Sequence, residues 1–174
     1  MSDTPERYGS LSRWFHWGMA ILIVWQFMKI GDLIDEGEHW VGRTLVPWHI
    51  SIGLLIFILG ILRVFWAIKQ YPHRPQLSGP LAPLARIGHF LLYLVMLLLP
   101  VLGIFYMIGK GYGLKVFGLQ LVEKSETGIA RMASVGSLHA PVAVLFLLLV
   151  IGHICAAFYH HFILRDDTLK RMTR

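Results

Sequence analysis

The sequence contains four apolar stretches, each about as long as is needed to cross the hydrocarbon core of a bilayer. They cover residues of about 14–31, 46–68, 87–108 and 138–163. Backbone polar groups in lipid must be satisfied within the protein, so stretches of this kind are expected to be helices. The chain has 174 residues, which suits one domain. The fold predicted is therefore all-α: an integral membrane four-helix bundle, with residues 1–174 forming a single transmembrane domain.

The composition supports a membrane protein and excludes other classes. Hydrophobic residues make up 56% of the chain and charged residues 15%, whereas a soluble domain is about 25% charged. The net charge of +6 does not indicate nucleic-acid binding, because the basic residues lie in the connections between apolar stretches. The single cysteine, Cys155, excludes an internal disulfide and a cysteine-ligated iron–sulfur cluster.

The distribution of basic residues predicts the orientation in the membrane, since cytoplasmic connections carry the excess of Lys and Arg. Of the 16 basic residues, ten fall at the N-terminus, around the second connection and at the C-terminus. The other six fall in the first and third connections, and the first also holds Asp32, Asp35, Glu36 and Glu38. Both termini are therefore expected in the cytoplasm. The four prolines between residues 71 and 83 predict that this connection is not helical.

The histidines are the candidate functional residues, because an ionisable side chain within a membrane span is costly. Six of the nine lie within or at the ends of the spans: His16, His49, His89, His139, His153 and His160. His139 and His153 are 14 residues apart, which is close to four helical turns, so one helix face carries both, about 21 Å apart along its axis. Such a helix presents one imidazole near each membrane surface.

Each of these two imidazoles needs a partner on a facing helix at its own depth. Near the outer surface His49 is the good partner for His139, whereas near the inner surface His16 and His89 compete for His153. Paired histidines without a carboxylate or thiolate suit an iron porphyrin with two axial imidazoles, and not zinc. Gly53, one turn after His49, would let a flat macrocycle approach the backbone, although it could equally be a small-residue contact between helices.

Several motifs in this order resemble the bacterial cytochrome b561 family, which includes superoxide oxidases and related quinone-linked cytochromes. They are WFHW at 14–17, WHISIG at 48–53, GHFLLY at 88–93, PVLG at 100–103, GH at 152–153, HHF at 160–162 and DTLKRM at 167–172. The resemblance implies a multi-pass protein of the bacterial inner membrane with two haem b groups. It also implies ubiquinone as the electron acceptor.

The resemblance further implies particular roles for individual residues. His49 and His139 match the ligands of a periplasmic haem, and His16 and His153 match those of a cytoplasmic haem, while the role of His89 stays open. The family places a quinone near the cytoplasmic end, where His160 is the candidate contact.

The sequence leads to two hypotheses for the function. The first is an oxidoreductase that moves electrons from periplasmic superoxide through both haems to ubiquinone, with Arg43 as a candidate for steering the anion at the outer face. The alternative is a membrane-anchor subunit that links a periplasmic redox protein to the quinone pool. The four acids of the first connection favour the alternative, because they would repel superoxide.

Overall fold

The computed structural model describes residues 2–31, 40–76, 79 and 81–173 of the chain. Seven α-helices lie in these ranges: α1 Ser10–Phe27, α2 Trp40–Thr44, α3 His49–Gln70, α4 Ala82–Gly109, α5 Ala130–Gly136, α6 His139–Phe158 and α7 Lys170–Thr173. Strands β1 (Leu114–Val116) and β2 (Leu119–Val122) form an antiparallel hairpin between α4 and α5. Short 3₁₀ segments at Met28–Gly31 and Val46–Trp48 flank the first connection.

The predicted all-α membrane bundle is confirmed. Within the described residues, three helical stretches are long and apolar enough to cross a bilayer: His49–Gln70, Ala82–Gly109 and Ala130–Leu164. The fourth helix is α1, an 18-residue helix that carries polar residues such as Arg13 and Gln26 and is extended by the 3₁₀ segment. At about 1.5 Å per residue, α1 and this segment together approach the thickness of the hydrocarbon core.

Two helices begin before the apolar spans predicted for them, because prolines and polar residues are tolerated at helix starts. Helix α4 begins at Ala82, five residues before the predicted span, and Pro83 lies in its first turn. An amide hydrogen has no helical partner at that position, so a proline costs nothing there. The expectation that residues 71–83 are wholly non-helical therefore fails at its last two residues. Helix α1 likewise begins at Ser10, before the predicted residue 14.

The bundle core forms where α3 packs against both α1 and α4, and α4 also packs against α6. Its buried residues are Met19, Ile52, Ile56, Val95, Met96 and Phe146. Gly60 allows the close approach of α3 and α4, since a Cβ at this position would lie 2.9 Å from Cδ2 of Leu97. The two levels of histidine lie at either end of this apolar middle.

Both chain termini lie at one end of the bundle, called here the terminal end. The backbone amide of Asp3 donates to Oε1 of Gln70 at 3.0 Å, which places the N-terminal segment against the end of α3. The amide of Tyr8 donates to the carbonyl of Arg171 at 3.2 Å, and the indole of Trp17 donates to the carbonyl of Met172 at 3.0 Å. The terminal end thus holds residues 2–17, the end of α3, the start of α4 and residues 159–173.

The opposite end, called here the hairpin end, is covered by the β1–β2 hairpin. Phe117 and Gly118 form its two-residue turn with φ values of 47° and 87°, as a type I′ turn requires. A positive φ is unfavourable for a bulky residue such as phenylalanine. The amide of Phe117 donates to Oγ of the buried Ser51 at 2.9 Å, and its ring contacts Trp48. These contacts tie the hairpin to the first turn of α3.

The last predicted span, 138–163, is not one regular helix. Helix α6 ends at Phe158, and the chain continues as a π-helical turn over Tyr159–Leu164. Arg165 then adopts a left-handed conformation with φ of 55°, which ends the helix and reverses the chain direction. The regular rotation of about 100° per residue of an α-helix therefore does not hold between His153 and His160.

Candidate functional site

At the hairpin end the structure brings the side chains of His49 and His139 close together. Their ring centres are 6.0 Å apart, and the ring planes are inclined by 78°. Nδ1 of His139 lies 2.9 Å from the carbonyl oxygen of Leu99 on α4. Because a carbonyl can only accept, Nδ1 carries the hydrogen, and Nε2 is the nitrogen with a free lone pair. A Cβ at Gly103 would lie 3.3 Å from this ring, so the glycine provides the space that His139 occupies.

Gln26 of α1 connects this pair to the neighbouring helix. Its Nε2 donates to the carbonyl oxygen of His49 at 2.9 Å. A Cβ at Gly53 would lie 3.1 Å from the same Nε2, so this amide occupies space that Gly53 leaves. Nδ1 of His49 is buried without a hydrogen-bond partner in the described part of the chain. One imidazole of the pair is therefore fixed by a carbonyl, and the other is held through its backbone.

At the terminal end His153 has two imidazole neighbours. Its ring centre lies 6.1 Å from that of His16, with the planes at 63°, and 5.5 Å from that of His89, with the planes at 67°. Nη2 of Arg63 lies 3.0 Å from Nδ1 of His16, and the same guanidinium lies over the Tyr93 ring at 5.3 Å. A guanidinium has no acceptor, so in this arrangement Nδ1 of His16 accepts and the hydrogen of the neutral ring lies on Nε2.

The spacing of the rings fits one metal ion between each pair. A ligating imidazole nitrogen lies about 2 Å from the metal and its ring centre about 1 Å further, so two ligating rings have centres about 6 Å apart. Within the described ranges no three His, Cys, Asp or Glu side chains converge where they could hold a bare metal ion. Two imidazoles without further side-chain ligands suit an ion whose other positions belong to a macrocycle.

His160 lies in the π-helical turn at the terminal end. Its Nδ1 lies 2.5 Å from Oδ2 of Asp166 and 3.5 Å from Oγ1 of Thr168. The neighbouring His161 has a buried Nδ1 without a hydrogen-bond partner in the described residues, and its ring contacts Phe162. The two adjacent histidines therefore differ: one is held by a carboxylate, and the other is packed against an aromatic ring.

The candidate steering residue, Arg43, is exposed on the short helix α2. The four acidic side chains of the first connection lie in 32–39, outside the described residues.

Sequence reasoning did not identify several residues that surround the histidines. Gln26 and Arg63 are polar residues in otherwise apolar spans, and that contrast is the signal that could have identified them. The Leu99 carbonyl and Gly103 gave no such signal, because backbone groups and glycines are common in membrane helices. Asp166 was overlooked because its role depends on the chain reversal at Arg165.

A bundle of membrane-length helices that pairs imidazoles at two depths has the architecture of a membrane-bound b-type cytochrome. Residues 7–174 match the family of prokaryotic cytochrome b561. The chain belongs to this family, whose members bind haem b and carry out redox electron transfer in the bacterial inner membrane.

Three relatives are similar to the chain over nearly its whole length. Cytochrome b561 homolog 2 of Escherichia coli K12 is 34% identical, over 98% of this chain and 93% of the relative. Probable superoxide oxidase CybB of Yersinia pestis is 27% identical over 96% of both chains. Cytochrome b562 of Cereibacter sphaeroides is 25% identical over 100% of this chain and 99% of the relative.

Proposed function

We propose that this chain is a dihaem cytochrome that moves electrons across the inner membrane, from superoxide at the periplasmic face to ubiquinone at the cytoplasmic face. The observation that carries this proposal is the presence of facing imidazoles at both ends of one bundle, with ring centres 6.0 Å apart at the hairpin end and 6.1 Å apart at the terminal end. Two redox centres at different depths allow electrons to cross the membrane.

In this proposal His49 and His139 hold the periplasmic haem, and His16 and His153 hold the cytoplasmic haem. Each haem, held by two imidazoles, would supply electron transfer and would leave no iron position open to an oxygen species. The Leu99 carbonyl holds the imidazole of His139 with Nε2 available, as second-shell groups commonly do for ligating histidines. The proposed number of haems is therefore two, one for each pair.

Arg63 has a specific part in the assignment of His16. Ligation through Nε2 requires the hydrogen of the neutral ring to move to Nδ1, where the Arg63 guanidinium now donates. The guanidinium would then lose this hydrogen bond and keep its contact with the face of the Tyr93 ring. His89 is the other neighbour of His153, and in this proposal it supports the site without ligating iron.

The proposed direction of transfer depends on which end of the bundle faces the periplasm. The terminal end unites both termini with the connection between α3 and α4, and these segments contain the larger share of the basic residues. The positive-inside rule favours a cytoplasmic position for that end. The hairpin end, with His49, His139 and the exposed Arg43, is then the periplasmic end at which superoxide would give up one electron and become dioxygen.

The assignment of superoxide is supported by the relative from Yersinia pestis, which carries the name of a probable superoxide oxidase. Two superoxide anions supply the two electrons that ubiquinone needs, and two protons complete its reduction to ubiquinol. His160 at the terminal end is the proposed quinone contact, because an imidazole can donate a hydrogen bond to a quinone carbonyl and relay a proton.

A second candidate function is the anchor subunit that links a periplasmic redox protein to the quinone pool. The hairpin favours this candidate, because Phe117, Leu119 and Leu121 are all exposed at the end of the molecule that would face the periplasm. Exposed apolar side chains of this kind are typical of surfaces at which proteins associate. In this case superoxide would not be a substrate.

One experiment on purified protein tests the proposal. Haem quantification and a reduced-minus-oxidised spectrum should give two b-type haems per chain, both with axial imidazoles. Addition of superoxide should reduce the haems, and ubiquinone should reoxidise them, so that superoxide disappears faster with quinone than without it. Two haems that superoxide does not reduce would favour the anchor subunit, and a chain that binds no haem would contradict both functions.

A further inference from the structure

The strongest additional feature is a hydrogen-bonded dyad of His160 and Asp166. Oδ2 of Asp166 lies 2.5 Å from Nδ1 of His160, and the backbone amide of Thr168 donates to Oδ1 of the same carboxylate at 2.8 Å. Both carboxylate oxygens are therefore acceptors. The hydrogen in the contact with His160 belongs to Nδ1, so Nε2 is the ring nitrogen that can exchange a proton with another molecule.

The local backbone conformation brings the two side chains of this dyad together. The π-helical turn at Tyr159–Leu164 and the left-handed Arg165, with φ of 55°, turn the chain back on itself. The amide of Asp166 then donates to the carbonyl of His160 at 3.2 Å. A positive φ at a residue other than glycine is unfavourable, and π-helical turns are concentrated at functional sites. The backbone thus adopts two uncommon conformations where the carboxylate meets the ring.

The dyad is in contact with water, and its Asp166 carboxylate is ionised at neutral pH. The side chain of His160 is 29% exposed and that of Asp166 is 40% exposed. Partial burial raises the pKa of Asp166, but the hydrogen bonds from His160 and Thr168 outweigh it and lower that pKa to about 2. The carboxylate is therefore ionised and able to stabilise a positive charge on the imidazole.

We propose that Asp166 is a positioning residue that keeps the hydrogen of His160 on Nδ1 and stabilises the protonated ring, so that Nε2 delivers a proton to the reduced quinone. This proposal rests on the proposed function, since it assumes that a quinone is reduced at the terminal end. It adds a residue and a direction of proton transfer to that site.

The proposed step balances in atoms and charge. Ubiquinone accepts two electrons, which come from superoxide, and two protons to become ubiquinol. One proton leaves Nε2 of the His160 imidazolium for a quinone oxygen, and the ring is left neutral with its hydrogen on Nδ1. Water at the exposed edge of the ring returns the proton to Nε2, and water at the same end supplies the second proton to the quinone.

Asp167 is a matched control on the adjacent position. It is 65% exposed and contacts Nζ of Lys170 at 2.9 Å, whereas Asp166 contacts His160. The variants Asp166→Asn and Asp167→Asn therefore remove the same charge from the same loop, but only the first removes the carboxylate from the ring. A general effect of loop charge would affect both variants equally.

The first measurement is the tautomer of His160, which does not involve quinone. Nitrogen-15 NMR of histidine-labelled, haem-loaded and reduced protein in alkaline buffer separates protonated from unprotonated ring nitrogens, and His160→Gln identifies the signal. The parent and Asp167→Asn should carry the hydrogen on Nδ1, and Asp166→Asn should shift a measurable fraction to Nε2. Hydrogen on Nε2 in the parent, or an unchanged tautomer in Asp166→Asn, would overturn the proposal.

The second measurement is stopped-flow reoxidation of the reduced protein by ubiquinone. Asp166→Asn and His160→Gln should each slow it by about tenfold, below the full contribution of a general acid, and Asp167→Asn should keep the parent rate. The double variant should be no slower than His160→Gln, because residues that act as a unit are not additive.

Two results of this stopped-flow measurement would contradict the proposal, and each would overturn a different part of it. A further slowing by Asp166→Asn in the His160→Gln background would show that Asp166 does not act through the ring, and would overturn the proposal. A parent rate in His160→Gln would overturn the proton step and the quinone contact together. In that case the tautomer measurement would still show whether Asp166 orients His160, so the two failures can be distinguished.

Discussion

The carbonyl oxygen of Leu99 lies 2.9 Å from Nδ1 of His139, and this contact leaves Nε2 as the ring nitrogen with a free lone pair. A helical carbonyl has a second lone pair, so Leu99 can accept this hydrogen bond in addition to its bond within α4. Gly103, one turn further along α4, leaves the space in which the ring lies. The orientation of a residue on α6 is therefore determined by two positions on α4.

We expect Gly103→Val to displace His139, because even a Cβ at this position would lie 3.3 Å from its ring. Inserting side-chain atoms into a packed site costs about 1–3 kcal/mol. The variant should shift or weaken the absorption of one haem and leave the other unchanged. Gly88→Ala is the control on the same helix, since a Cβ there meets nothing within 4 Å. Unchanged spectra in Gly103→Val would contradict the space argument.

Loss of either member of a pair should remove the same haem. His49→Ala and His139→Ala should each lose the haem of the hairpin end, and His16→Ala and His153→Ala should each lose the haem of the terminal end. Redox titration monitored by absorbance distinguishes the two centres. The control is the exposed His73, whose alanine variant should keep both haems. If His49→Ala removed the haem that His153→Ala removes, the pairing would be wrong.

His89→Ala should keep both haems, although its ring centre lies only 5.5 Å from that of His153. His153 would ligate one iron only, and we assign the second ligand of that iron to His16. The expected effect is a change in the stability or the potential of the terminal-end haem. Haem quantification is the measurement, and a variant with half the haem content would make His89 the ligand in place of His16.

The adjacent histidines His160 and His161 should differ in their effect on quinone. His160→Ala should keep both haem spectra and slow reoxidation by ubiquinone, since its ring is held by Asp166 at the exposed edge of the turn. His161→Ala should have little effect on the rate, because that ring packs against Phe162. Stopped-flow reoxidation compares them, and equal rates in His160→Ala and the parent would place the quinone elsewhere.

The contact between His160 and Asp166 should persist well into acid. The pKa of Asp166 is lowered from 3.8 to about 2, as the hydrogen bonds from His160 and Thr168 outweigh the effect of burial. A depressed pKa contributes stability that is complete above the ordinary value and is lost as the pH falls through about 2. Carbon-13 NMR of labelled aspartate carboxyls should show Asp166 titrating near this pH. A midpoint at or above the ordinary value would contradict the assignment.

The sequence predicted the bundle and the depth of its histidines because both depend on local periodicity and length. Long apolar stretches require helices in lipid, and the interval between His139 and His153 is the same in any regular helix. It could not predict that helix α4 begins at Ala82, because Pro83 is compatible with a first turn as well as with a loop. It also could not predict the β hairpin, whose turn contains Phe117 in an unfavourable conformation.

The sequence by itself therefore determined the class of the fold, the opposite depths of His139 and His153, and the candidate partners of each. Only the tertiary structure decided that His153 has both His16 and His89 as neighbours, that Arg63 contacts His16, and that Asp166 reaches His160. The physical reason is that spacing along a helix is set by backbone geometry alone. Contacts between helices depend on how each helix is rotated about its axis. The contact of Asp166 with His160 depends on the chain reversal at Arg165, which no periodic pattern in the sequence predicts.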